Sequence, residues 1–125
     1  MSRVQLSLNV SDLDAAVAFY TRLLGSPPAK LRPGYANFAI GDPPLKLVLN
    51  APGNGPAGTI NHLGVEVAST GDVTHAEARL AGAGLAVQAA PGTVCCYAHQ
   101  DKVWAHDHDG LAWEYYTVLE HVEAP

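Results

Sequence analysis

Val4-Gln5-Leu6-Ser7-Leu8-Asn9-Val10 lies near the start of the chain, and Asn61-His62-Leu63-Gly64-Val65-Glu66-Val67 repeats its pattern at the middle. Both alternate apolar and polar residues, the period of a half-buried strand. Laying residue 5 on residue 62 also puts Leu6 on Leu63, Val10 on Val67, Leu23 on Leu80 and Gly25 on Gly82. A duplicated module is the economical explanation.

Working outward from the first copy, Ser11 or Asp12 can cap a helix predicted over Leu13 to Leu24, with Val17, Tyr20, Leu23 and Leu24 at helical spacing. Gly25 is placed to end it, and Pro27 and Pro28 prevent its continuation. A short edge strand at Lys30-Leu31-Arg32, the Pro33-Gly34 turn, a strand from Tyr35 to Ile40 and another from Leu45 to Leu49 complete a βαβββ unit. Residues 51–58 are rich in Gly and Pro and read as a linker. In the second copy the pattern predicts a helix from Asp72 to Ala83, strands at Leu85 to Ala89, Val103 to His106 and Ala112 to Leu119, and a turn at Asp107-His108-Asp109-Gly110. The expectation is one α+β domain over residues 1–125, with modules at about 1–50 and 60–120 joined by 51–59. Residues 93–102 have no obvious counterpart in the first copy, and are expected to be an inserted loop, where specificity tends to be added.

Bulk properties exclude several function classes. A chain of 125 residues with 48% apolar content can fill a core without disulfides. Only 15% of residues are charged, the net charge is -5 and no run of Lys or Arg occurs, so a footprint for nucleic acid or anionic lipid is missing. No secretory leader or membrane span is read from Met1 onward, and cytoplasm is the expected compartment. Two cysteines in a reducing setting are read as ligands or reactive thiols, not as a structural disulfide.

Three residues stand out by position. Gln5 and His62 are equivalent early in their strands, and both can point into one cleft. Glu114, within Trp113-Glu114-Tyr115-Tyr116, is costly to bury unless paired or bound to metal. Amide oxygen, imidazole nitrogen and carboxylate form a set suited to Fe(II), Mn(II), Co(II) or Ni(II), with positions left open for substrate or dioxygen. The first-copy counterpart of Glu114 falls near Leu47, which cannot ligate. A solvent-facing Gln5, a hydrogen-bonded His62 and an exposed Glu114 are the plainer alternatives. Cys95 and Cys96 are adjacent, and soft thiolates select As(III), Cd(II), Zn(II) or Cu(I) if an irregular backbone brings both to one side. Two small buried apolar residues in a strand weigh equally against that on composition alone. His106 and His108 fit ordinary turn chemistry better than a second metal site, and His75, His99 and His121 read as solvent-facing. There is no phosphate loop, G-x-S-x-G elbow or C-x-x-C ribbon.

The duplicated βαβββ pattern resembles the vicinal oxygen chelate superfamily, which includes glyoxalase I, the fosfomycin and bleomycin resistance proteins and the extradiol dioxygenases. Within it, Val4-Gln5-Leu6, residues 33–40, residues 43–49, residues 61–67, Cys95-Cys96-Tyr97-Ala98 and Gln100-Asp101-Lys102-Val103-Trp104 resemble one branch, the organoarsenical carbon-arsenic lyases and cadmium-inducible proteins. The resemblance implies an Fe(II)- and O2-dependent dioxygenase that cleaves trivalent organoarsenicals, such as methylarsenite or trivalent aromatic arsenicals, to arsenite. It implies metal on Gln5, His62 and Glu114, catalysis there, and arsenic on Cys95 and Cys96, with Ni, Co or Mn able to take the iron position. A loop that captures arsenic and swings it over the metal is the motion expected. The resemblance leaves room for a homodimer. The rival expectation is a non-catalytic cadmium- or arsenic-binding resistance protein of the same fold; glutathione-dependent isomerisation or antibiotic modification leaves the thiols unexplained. His106 and His108 depart from relatives, which commonly carry less histidine in that turn, and put extra surface metal binding in play.

Overall fold

The polar side chain at residue 12 and the glycine at residue 25 bound the first helix where expected. In the computed structural model, which describes residues 2–125, β1 (Arg3–Asn9) leads into α1 (Leu13–Leu24). Asp12 is extended, and its Oδ1 accepts from the Ala15 N–H at 3.1 Å, satisfying one donor that a helix start leaves open. Gly25 takes the left-handed conformation at φ 72°, and its N–H donates to the Thr21 carbonyl. There follow β2 (Lys30–Arg32), β3 (Tyr35–Ile40), β4 (Leu45–Asn50), β5 (Ile60–Glu66), α2 (Thr70–Gly82), β6 (Gln88–Cys95), β7 (Ala98–His106) and β8 (Ala112–His121). Strand, helix and three strands thus occur twice, and the fold is the expected α+β class built from two βαβββ modules.

The chain divides into two compact units, Arg3–Leu63 and Gly64–Pro125, and passes from one to the other inside β5. In the first, β1 pairs parallel with β4, and β3 runs antiparallel between β4 and β2. Leu6, Leu8 and Val10 join Ala36, Phe38, Leu47 and Leu49 under Leu13, Val17, Tyr20 and Leu24 of α1. Strand alternation then sends Gln5, Ser7 and Asn9 to the face away from the helix, where all three are nevertheless buried.

In the second unit β7 lies antiparallel between β6 and β8. Ser69 caps α2, its Oγ accepting from the Asp72 N–H at 3.2 Å, so the helix begins at Thr70, ahead of the expected start at Asp72. Val73 and Ala76 are its buried residues. Thr70 Oγ1 donates to Asp101 Oδ2 at 2.7 Å, and Arg79 Nη2 to the Tyr115 hydroxyl at 3.2 Å, so Asp101 and Tyr115 mark the face toward the helix. Their neighbours Gln100, Lys102, Glu114 and Tyr116 point the other way and are buried.

The larger correction concerns residues 93–102. They are not an inserted loop: β6 and β7 continue through them, and register pairs Cys95 with Ala98 across a two-residue turn, Cys96-Tyr97. The first unit has the counterpart, since Arg32 pairs with Tyr35 across Pro33-Gly34. Gly34 supplies positive φ at no steric cost, 71°, and so announces its turn. Cys96 and Tyr97 reach φ 57° and 60° without glycine, which hid the second hairpin from turn signals. Among the described residues no helix is long and apolar enough to cross a membrane.

Candidate functional site

Two consecutive strand residues send side chains to opposite faces, so adjacent cysteines in a strand cannot share a ligand. The turn removes that obstacle. With Cys95 ending β6 and both central residues left-handed, the sulfurs of Cys95 and Cys96 approach to 2.9 Å. That is a contact between two free thiols, well beyond a disulfide bond. Each non-glycine residue in this conformation costs about 1 kcal/mol or more. The cost is met by anchoring: Tyr97 is buried, its N–H donates to the Ala124 carbonyl, and its carbonyl accepts from the Val122 N–H, both at 3.0 Å. Gln100 Nε2 adds a bond to the Cys95 carbonyl at 3.2 Å.

Lys102 joins the thiols to Glu114. Its Nζ lies 3.5 Å from Cys95 Sγ and 2.8 Å from Glu114 Oε1, with only 3% of the lysine and 4% of the glutamate side chain exposed. The ammonium also stands 5.3 Å from the Trp104 ring centre and 5.8 Å from that of Tyr116. Burial opposes the Lys102 charge, but Glu114 and then the two sulfurs outweigh it, and the pKa is raised. Cys95 is drawn from 9.0 down to about 6, chiefly by the hydrogen bond from Cys96 and, against burial, by Lys102. Cys96 moves the other way, because it serves as the donor and is itself buried. The pair therefore offers one thiolate and one thiol at neutral pH.

In the first unit Gln5 and His62 meet, Nε2 to Nε2 at 3.2 Å, Gln5 from β1 and His62 from β5. His62 Nδ1 lies 2.7 Å from Asn61 Oδ1. An amide and an imidazole converging on one point suit a divalent ion of the Fe(II) to Ni(II) series. The structure thus joins Gln5 with His62 in one unit, and Cys95, Cys96 and Glu114 through Lys102 in the other. Among the described residues no group of three or more His, Cys, Asp and Glu is gathered as a metal site.

Among the described residues, His106 and His108 belong to no such group. Asp107 Oδ1 accepts from the N–H groups of Asp109 and Leu111, both at 2.9 Å, and Gly110 is at φ 84°, so the segment is a turn as read. His108 Nε2 lies 3.3 Å from Asp109 Oδ2, both side chains largely in solvent. Sequence reasoning missed Lys102 as the partner of Glu114, and Asn9 and Asn61 behind His62. The alternation Gln100, Lys102, Trp104 was the available signal for the first, since it puts all three on one face of β7.

Residues 3–115 match the Glyoxalase/Bleomycin resistance protein/Dioxygenase superfamily. The chain belongs to that superfamily. Proteins similar to it include the cadmium-induced protein CadI of Mycobacterium tuberculosis, 63% identical over 95% of this chain and 78% of that protein. Another is the trivalent organoarsenical cleaving enzyme of Thermomonospora curvata, 54% identical over 94% of this chain and 78% of that one. Among solved structures, the Mn(II)-bound glyoxalase of Novosphingobium aromaticivorans superposes with a TM-score of 0.64 at 22% identity, covering 100% of this chain and 43% of that one. Homoprotocatechuate 2,3-dioxygenase of Arthrobacter globiformis gives 0.63 at 23%, covering 97% and 36%. These two likenesses show the superfamily fold alone.

Proposed function

We propose that the protein is an Fe(II)- and O2-dependent carbon-arsenic lyase, a dioxygenase converting trivalent organoarsenicals such as methylarsenite or trivalent aromatic arsenicals to arsenite. The observation that carries this reading is the Cys95-Cys96 turn: two free sulfurs 2.9 Å apart, one of them 3.5 Å from a buried ammonium. Support comes from the similarity to a protein named for trivalent organoarsenical cleavage. Cys95 and Cys96 bind As(III) as substrate, soft donors on a thiophilic atom. Gln5, His62 and Glu114 are the residues that would hold the metal, and their mixed O and N donors fit Fe(II), with Mn, Co or Ni as substitutes. Bound there, iron supplies the redox chemistry that engages dioxygen.

The remaining work falls to the chain itself. The hydrogen bond from Cys96, with help from Lys102, keeps Cys95 deprotonated and ready to bind arsenic, and Lys102 balances the buried Glu114 charge before metal arrives. Trp104 and Tyr116 flank that ammonium and restrict water around it. Two anchored sulfurs fix the arsenic atom and so orient its organic group. Reduced cytoplasm, where thiols stay free, is the fitting compartment.

The test is to load purified protein with Fe(II) without oxygen, add methylarsenite in air and measure arsenite. Release above a Cys95→Ser control is expected, and none above that control would sink the lyase reading. His62→Ala is expected to lose turnover while retaining arsenical binding. A second reading, sequestration of cadmium or arsenic without chemistry, is favoured by the 63% identity to a protein named as cadmium-induced. It needs the cysteines but not oxygen, Gln5, His62 or Glu114, and the same assay separates the two.

A further inference from the structure

The tautomer of a histidine follows from its hydrogen-bond partners, and those of His62 can be traced to a group whose role is unambiguous. The backbone N–H of Asn54 can only donate, and it points at one carboxamide atom of Asn9 at 3.1 Å. That atom is therefore Oδ1. Asn9 Nδ2 accordingly donates to Thr59 Oγ1 at 2.9 Å, and the Asn61 atom 2.9 Å from Asn9 Oδ1 is the Nδ2 donor. The other Asn61 atom, Oδ1, then faces His62 Nδ1 at 2.7 Å and requires a proton there. In the neutral ring Nε2 then carries no proton, and the Gln5 amide nitrogen 3.2 Å away donates to it. For a neutral imidazole this assignment gives every bond in the series a donor and an acceptor.

We propose that Asn61 and Asn9 are positioning residues that hold His62 as the Nδ1–H tautomer, so that its Nε2 lone pair is presented beside Gln5. The purpose rests on the reading of His62 as a metal ligand given above: a divalent ion needs that lone pair, and the partner of the other ring nitrogen governs ligand orientation and basicity. The segment between β4 and β5 belongs to the device. Asn9 is 1% exposed, and a Cβ on Gly53 would overlap its side chain, so residue 53 is glycine to let the segment close over the carboxamide. At Gly55 a Cβ would meet Asn9 Nδ2 and Thr59 Oγ1 at 3.5 and 3.6 Å, ordinary contacts.

Long-range 1H–15N correlation spectra of the metal-free full chain at about pH 8, where an ordinary imidazole is neutral, read the tautomer directly. Wild type is expected to show a protonated Nδ1 and a bare Nε2. Asn61→Ala and Gly53→Ala should both move His62 toward a mixture of tautomers, whereas Gly55→Ala, whose added Cβ makes only ordinary contacts, should not. A protonated Nε2 in wild type, or an unchanged spectrum in Asn61→Ala, would overturn the proposal. In oxygen-free Fe(II) titrations Asn61→Ala should bind about 10–100-fold more weakly. An unchanged affinity in Asn61→Ala alongside a large loss in His62→Ala overturns the relay alone. Equal affinity in wild type and His62→Ala overturns the ligand role, and with it the relay's purpose.

Discussion

Replacing Lys102 by methionine removes a buried ammonium while keeping most of the stem's volume. Glu114 Oε1 then loses a partner at 2.8 Å in a place where only 4% of its side chain meets solvent. Stranding one member of such a pair costs about 3–5 kcal/mol, far above the value of about 1 kcal/mol or less for pairs in water. For a chain of 125 residues, 1 kcal/mol moves Tm by roughly 3–5 °C, so a fall of about 9–25 °C is expected. Urea unfolding of reduced, metal-free protein measures the loss, and an unchanged m-value shows that the two states compared are the same. Lys102→Met with Glu114→Leu should recover most of it, because an apolar pair of similar volume needs no counter-charge. A single-variant loss below about 1 kcal/mol, or a double variant as costly as the two singles together, would refute the claim that this pair is desolvated.

The remaining predictions concern the thiols and the core. Cys95 titrates near 6 against an ordinary 9.0, so its alkylation rate should rise through a midpoint near pH 6, and a midpoint near 9 would count against the assignment. Because the folded value is the depressed one, the associated stability is complete above pH 9.0 and disappears as pH falls through about 6, which unfolding curves across that range check. Cys96→Ala removes the hydrogen bond that does most to hold Cys95 down, so the alkylation midpoint should move upward, and Cys96→Ser, still a donor, should move it less. Phe38→Ala empties a site with 0% exposure at the centre of the first unit and should cost about 3–5 kcal/mol in the same urea experiment.

The reach of sequence reasoning followed the kind of signal each element carries. The first helix was readable to the residue because Asp12 and Gly25 are chemical punctuation, and β3 was readable because Pro33-Gly34 marks its start. The Gln5 and His62 pair was legible through duplication, since equivalent strand positions face alike. Cys96-Tyr97 carried no such mark. Its left-handed backbone is imposed by bonds to residues 122 and 124, distant in sequence, and local propensity cannot register them. Lys102 carried no mark of its own, whereas strand pairing sets it opposite Tyr116 and diagonal to Glu114, within 2.8 Å of its carboxylate. The Gly- and Pro-rich stretch after β4 was read as a linker, although Asn54 and Gly53 pack on Asn9.

The two bonds from Tyr97 to the chain beyond β8 carry a thermodynamic consequence. A flexible dithiol must surrender rotational freedom when it closes on a soft atom, and that loss weakens the complex. In the Cys96-Tyr97 turn the backbone's freedom is already spent during folding, on bonds that do not involve the sulfurs. If the two cysteines bind arsenic as proposed, loosening residues 122–124 is expected to lower that affinity through entropy and leave the sulfur chemistry unchanged.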